Sequence, residues 1–83
     1  MWFVYLIRTK KGIYTGVTTD MLRRFRQHRG DLPGGAKFFR GNKPVELVHL
    51  ETYPSRSLAQ KRESEIKKLS KIEKEKLIKL VAV

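Results

Sequence analysis

The sequence predicts an α+β fold in one small domain spanning residues 1–83: a three-stranded, mostly antiparallel sheet flanked by helices, in the order ββαβαα. Three observations carry this prediction. The chain opens on two runs rich in aromatic and β-branched residues, separated by a short glycine-containing turn, which is the pattern of a hairpin. Apolar residues then recur at helical spacing in three later stretches. The chain of 83 residues suffices for one core of modest size.

The first strand is read over Trp2 to Arg8. Alternation puts Phe3, Tyr5 and Ile7 on one face and Trp2, Val4 and Leu6 on the other. Both faces are apolar, so the strand is expected at the centre of the sheet. After the turn Thr9-Lys10-Lys11-Gly12, a second strand follows over Ile13 to Val17. Within it, Gly16 shares a side with Tyr14 and leaves room beside the phenol, for close packing or the approach of a phosphate. Thr18 or Thr19 is expected to cap the next helix, with Asp20 in its first turn complementing the positive helix end. At about 100° per residue, Met21, Phe25 and His28 share one narrow arc and Arg24 lies at its edge. Arg23, Arg26 and Arg29 point elsewhere, to solvent or a phosphate backbone.

The run Gly30-Asp31-Leu32-Pro33-Gly34-Gly35 must be a loop. Beyond it, Lys37-Phe38-Phe39-Arg40 interleaves basic and aromatic residues as single-stranded nucleic-acid platforms do; the alternative is that both rings pack on the sheet while Lys37 and Arg40 are solvated. Val45 to Tyr53, with Val45, Leu47, Val48 and Leu50, reads as the third strand. Pro54-Ser55-Arg56-Ser57 opens a helix carrying Leu58, Ala59, Ile66 and Leu69 on one face. Ser70-Lys71-Ile72-Glu73 is a capping box that starts a last helix, with Leu77, Ile78, Leu80 and Val81 inward and Glu75 spaced to pair with Lys79.

Charge is the strongest compositional clue. Nineteen Lys and Arg against eight Asp and Glu leave a formal +11, which points to a polyanionic partner, nucleic acid above all. The excess is concentrated in residues 1–44, where ten basic residues face only Asp20 and Asp31. The absence of cysteine excludes disulfides, thiolate zinc sites and cysteine nucleophiles and fits the reducing cytoplasm. The apolar opening Trp2 to Ile7 is far too short to span a bilayer, so no membrane association is expected. Two acids sit in the middle of the second helix. Glu63 and Glu65 flank opposite edges of its apolar stripe, and a half-buried carboxylate beside a basic groove suits a magnesium ion, which needs one or two carboxylates plus a phosphate oxygen. The plainer reading of either is an ion-pair partner on a lysine-rich helix.

Taken together, Val4-Tyr5-Leu6, Tyr14-Thr15-Gly16, Thr18-Thr19-Asp20 leading into Leu22-Arg23-Arg24, Gly35-Ala36-Lys37 before Arg40, and Ser57-Leu58-Ala59 through Glu63 to Ile66-Lys67-Lys68 resemble the GIY-YIG nuclease superfamily, most closely its small stand-alone bacterial proteins. The literal string Gly12-Ile13-Tyr14 occupies the second tyrosine position; the first signature is the degenerate Val4-Tyr5-Leu6. Phe39 stands where close relatives carry a small hydroxyl residue. The resemblance implies that Tyr5 and Tyr14 are the signature tyrosines, Arg24 the catalytic arginine, His28 its frequent companion, and Glu63 rather than Glu65 the carboxylate for Mg2+ or Mn2+.

The function so implied is a metal-dependent endonuclease hydrolysing DNA phosphodiester bonds, in DNA repair or recombination. Arg24 neutralises charge growing on the phosphate oxygens. Tyr14, helped by Tyr5 or His28, orients or deprotonates the attacking water; a free tyrosine ionises near pH ~10, so a base role needs a lowered pKa. Arg23, Arg26, Lys37 and Arg40 are the expected DNA-backbone contacts. The chain offers no separate DNA-reading module, so little sequence preference is expected unless a partner protein supplies it. The rival reading is a non-catalytic nucleic-acid-binding module with the same fold.

Overall fold

The structure, a computed structural model, describes residues 1–81, with side chains through Lys79. Strand β1 (Trp2–Thr9) pairs antiparallel with β2 (Gly12–Thr18) on one side and β3 (Glu46–Tyr53) on the other, giving the order β2-β1-β3. The expected ββαβαα order and central first strand are both present, and every pairing is antiparallel. Helix α1 (Met21–Arg29) follows the hairpin, a 3-10 turn at Lys37–Phe39 interrupts the loop before β3, and α2 (Arg56–Lys67) and α3 (Lys71–Val81) close the chain.

The two apolar faces of β1 serve two cores. Val4 and Leu6 are fully buried against Ala59 and Ile66 of α2, with Trp2, Val17 and Leu69 packed around them. Tyr5 and Ile7 are buried on the opposite face with Phe39, and Tyr14, Met21 and Phe25 pack against that cluster. Leu77 and Ile78 of α3 join the first core as expected; the side chains of Leu80 and Val81 lie outside the described residues.

Local chemistry differs from the sequence reading at four points. Asp20, not Thr18 or Thr19, caps α1: its extended backbone lets the carboxylate accept from Arg23 N at 3.1 Å. Thr18 Oγ1 is occupied instead by the backbone N–H and carbonyl of Asp20. Leu58 is 47% exposed, so the inward stripe of α2 is set by Ala59 and Ile66. Glu75 does not pair with Lys79 but takes both guanidinium nitrogens of Arg8, at 2.8 and 2.7 Å, docking α3 on β1; a fixed bidentate fork outcompetes a flexible lysine one turn away. Finally, Val45 lies outside β3 and is exposed, and the ladder skips Val48: Leu6 faces His49 while Ile7 faces Leu47. This bulge turns Leu47 and Leu50 to the surface and buries His49. The capping box holds as read, Glu73 N donating to Ser70 Oγ at 3.2 Å and Ser70 N to Glu73 Oε1 at 3.0 Å.

Candidate active site

The hairpin register assembles the first part of the site. Tyr5 lies opposite Gly16 and Ile7 opposite Tyr14, so the two tyrosines project from the same face of neighbouring strands with ring centroids 6.2 Å apart. The room at Gly16 serves Tyr5 across the ladder rather than Tyr14 along its own strand: a Cβ at position 16 would overlap the Tyr5 hydroxyl. Gly16→Ala therefore displaces the phenol. Cleavage is expected to fall by about 10²-fold while the thermal melt keeps its cooperativity, because a 1 Å misplacement of a reacting group is enough for such a loss.

Helix α1 supplies the second part. Gly30, in the left-handed region at φ 90°, ends the helix and returns its N–H to the Arg26 and Gln27 carbonyls. Two residues earlier His28 is buried, and both its nitrogens are engaged. Ala36 N–H donates to Nδ1 at 3.3 Å, and Nε2 lies 2.8 Å from the Tyr5 hydroxyl. Burial, helped by the Arg24 charge, pushes the His28 pKa down to about 4, so the ring is neutral at neutral pH. Because Nδ1 accepts, the single proton sits on Nε2 and is donated to Tyr5 Oη. The Tyr5 O–H is thereby left to donate outward.

Tyr5 itself holds its proton firmly. Burial pushes its pKa up to about 12; proximity to Arg24 works the other way, and Tyr14 and the Glu63 carboxylate add to the rise. Arg24 is fixed by Nη1 donating to Gln27 Oε1 and Gly34 O, both at 2.9 Å. It thus ties the glycine-rich loop to α1 while its charge reaches Tyr5 and His28. Phe39 fills the space beneath this group, its ring 4.9 Å from that of Tyr14 and 4.2 Å from that of His28, and Phe38 stacks on Tyr14 at 5.5 Å while remaining 38% exposed. Phe39 is core, as the packing reading expects, whereas Phe38 is partly exposed.

Glu63 reaches the site from α2. With Leu58 removed from the inward stripe, the stripe centres between Ala59 and Ile66; on a wheel of about 100° per residue Glu63 lies roughly 50° from that centre and Glu65 roughly 110°. The exposures follow, 21% for the Glu63 side chain and 55% for Glu65. Glu63 has a loose ion pair with Lys67 at 3.4 Å, and no hydrogen bond to it is present among the described residues. No cluster of three or more His, Cys, Asp or Glu exists among the described residues, so no all-protein metal cage is available. A lone, half-buried carboxylate does fit Mg2+ or Mn2+, which retain waters and complete their shell with phosphate oxygens.

A half-buried polar network that the sequence reading did not identify ties α2 to β3. Glu51 accepts from Arg62 Nε at 2.8 Å, Arg62 Nη2 at 3.1 Å and Tyr53 Oη at 2.6 Å, and pairs with His49 Nε2 at 2.7 Å. Burial disfavours the Glu51 charge, yet the hydrogen bonds from Arg62, Tyr53 and His49 outweigh it and hold its pKa at about 2. Arg62 is anchored on β3, and the carboxylate of its neighbour Glu63 lies near enough for its charge to act on Tyr5. Alternation at His49, Glu51 and Tyr53 is the one signal in the sequence for this network, since it places all three on one face of a strand.

These two buried groups make the fold acid-sensitive in two steps. Unfolded His28 protonates near 6.5 and folded His28 only near 4, so stability is constant above about pH 6.5 and falls as pH drops toward 4. Glu51 ionises near 4.5 when unfolded and about 2 when folded; its contribution is present above 4.5 and lost as pH falls toward 2. Melting curves should show a loss of about 2–3 kcal/mol between pH ~7 and pH ~4. His28→Gln, whose amide can still donate to Tyr5, should flatten the upper step and leave the lower one.

The expected DNA-contacting residues are dispersed. Arg23 and Arg26 line a separate depression of about 280 Å³ with Asp20, Leu22 and Leu32. Arg40 lines a trough of about 450 Å³ whose floor His28 and Phe39 adjoin, and Lys37 is exposed on the 3-10 turn.

A family model described as the GIY-YIG catalytic domain matches residues 1–76. The UPF0213 protein of Natronomonas pharaonis is 47% identical over 77 residues, covering 92% of this chain and 88% of that protein. The UPF0213 protein YhbQ of Escherichia coli (strain K12) is 45% identical over 78 residues, covering 93% and 76%. The solution NMR structure of a UPF0213 protein from Bacillus halodurans superposes with a TM-score of 0.60 at 40% identity, over 98% of this chain and 86% of that one.

Proposed function

This chain belongs to the GIY-YIG catalytic-domain family, and from that membership we propose that it is a metal-dependent endonuclease that hydrolyses DNA phosphodiester bonds. The observation that carries the proposal is the convergence of Tyr5, Tyr14, His28, Arg24 and Glu63, drawn from β1, β2, α1 and α2, on one rim of the sheet. Such a mixture of a half-buried carboxylate, a guanidinium and hydroxyl donors matches the demands of phosphoryl chemistry, in which charge must be neutralised and a water aligned.

In this reading Arg24 meets the non-bridging oxygens of the scissile phosphate. His28 does not touch substrate; it is a positioning residue that fills one acceptor site on Tyr5 and so directs the phenol's own hydrogen outward. Tyr5, held protonated by burial, donates to the phosphate or the attacking water. Tyr14, the more accessible phenol, orients the attacking water and takes its proton only as the phenolate, after its own proton has been lost to solvent. Glu63 is the carboxylate for the divalent ion, Mg2+ or Mn2+. Bound there, the ion supplies Lewis-acid polarisation of the phosphate and charge neutralisation on the leaving oxygen. Arg23, Arg26, Lys37 and Arg40 contact the DNA backbone and carry no sequence information by themselves; sequence preference and a role in repair or recombination rest on a partner protein. Among the described residues no helix is long and apolar enough to cross a membrane.

The test is cleavage of plasmid, single-stranded and branched DNA with and without Mg2+ or Mn2+. Cutting that a chelator abolishes supports the proposal. Salt-sensitive binding with no cutting of any substrate overturns it in favour of a binding module.

A further inference from the structure

We infer that the tip of the β1–β2 hairpin and the exposed edge of α3 together form a second phosphate-binding surface, adjoining the catalytic rim, that grips the DNA backbone beyond the scissile bond. The inference rests on the nuclease reading and extends it to where the substrate runs.

The two-residue turn between Thr9 and Gly12 consists of Lys10 and Lys11. A depression of about 460 Å³ beside it is lined by Lys10, Lys11 and Lys43, and one of about 260 Å³ by Lys11, Lys71, Lys74 and Phe38. The first shares Lys43 with the trough that His28 adjoins. The second shares Phe38 with the catalytic rim, because that ring stacks on Tyr14. The basic surface is therefore continuous with the site in both directions around the 3-10 turn. None of the three depressions is lined by an acid.

The ion pair between Arg8 and Glu75 explains how four lysines are held together. Arg8 precedes the hairpin tip by two residues and Glu75 follows Lys74 directly, so their bidentate contact brings the basic edge of α3 to the lysines of the turn. Both Glu75 oxygens accept from Arg8, and no hydrogen bond from Lys71 to Glu75 is present among the described residues. Four lysines against the single carboxylate of Glu75, itself held by Arg8, leave an excess of like charge that is unfavourable in the free protein and favourable against a polyanion, where each contact releases condensed counterions. Lys10, Lys11, Lys71 and Lys74 thus have the arrangement expected of backbone contacts made by a strand leaving the rim past Phe38.

Fluorescence anisotropy on a duplex of about 30 base pairs, with chelator present to prevent cutting, tests this by salt dependence. The variant K10A/K11A/K71A/K74A is compared with K61A/K68A/K76A/K79A, which removes the same charge elsewhere. The expected result is a slope of log K against log salt shallower by about 2–4 and an affinity about 10–100-fold lower in the first variant, against a change in slope below about 1 in the control. With metal restored, KM should rise by a similar factor while kcat at saturating DNA stays within about 2-fold. Equal slopes in the two variants, with wild type still binding, overturn the second surface alone. Wild type that does not bind DNA overturns the nuclease reading as well.

Discussion

Arg24→Ala is expected to lower kcat for DNA cleavage by about 10²–10³-fold, the scale of losing one preorganised charge at a developing oxyanion. Its fold should survive, because the change removes two hydrogen bonds, to Gln27 Oε1 and Gly34 O, worth about 1 kcal/mol each. Arg24→Lys should recover little of the rate. An ammonium cannot hold the Gly34 carbonyl and Gln27 while presenting a planar fork to a phosphate. Gln27→Ala separates the two duties of the arginine: it loosens the anchor and keeps the charge, and a loss below about 10-fold is expected. Assays at saturating DNA, with circular dichroism to check folding, decide the matter; an Arg24→Ala enzyme that cuts at the wild-type rate would remove the arginine from the mechanism.

Glu63→Ala should reduce metal-dependent cutting by about 10³-fold or to background, while Glu65→Ala stays within about 2-fold. The contrast is sharp because both acids sit on the same helix, two residues apart, and differ in exposure by 21% against 55%. A readout independent of catalysis is available. The Glu63 carboxylate is one of the groups that raise the Tyr5 pKa toward about 12, so Glu63→Gln should lower it and Glu65→Gln should not, as followed by the Tyr5 ring carbon in an NMR titration. Equal loss in the two alanine variants would mean that α2 is not rotated as its contacts with β3 indicate.

The residues at which the sequence reading held and failed differ in kind. The strand β1 was legible because a run apolar on both faces has few homes besides the centre of a sheet. The capping box at Ser70 and Glu73 was legible because its two hydrogen bonds are local. The cap of α1 was misplaced by one or two residues since Thr18, Thr19 and Asp20 are all competent, and backbone geometry alone chooses among them. Leu58 was assigned inward from periodicity, but a leucine in the first turn of α2 can lie beside the core instead of in it. The pairing of Glu75 was misread because a helical neighbour is visible in a sequence and Arg8, far away along the chain, is not.

By itself the sequence determined the order of elements, the basic character of the surface, and the identity of the tyrosines, arginine and glutamate that the family resemblance marks, since these depend on local pattern and on residue type. Only the tertiary structure decided that Gly16 makes room for Tyr5, that His28 is a neutral donor to that phenol, and that Glu63, next to Arg62 bound to Glu51, lies near enough for its charge to act on Tyr5. Each of these depends on contacts between residues distant in the chain, where strand register, helix rotation and burial together set which atoms meet and which of them keep their protons.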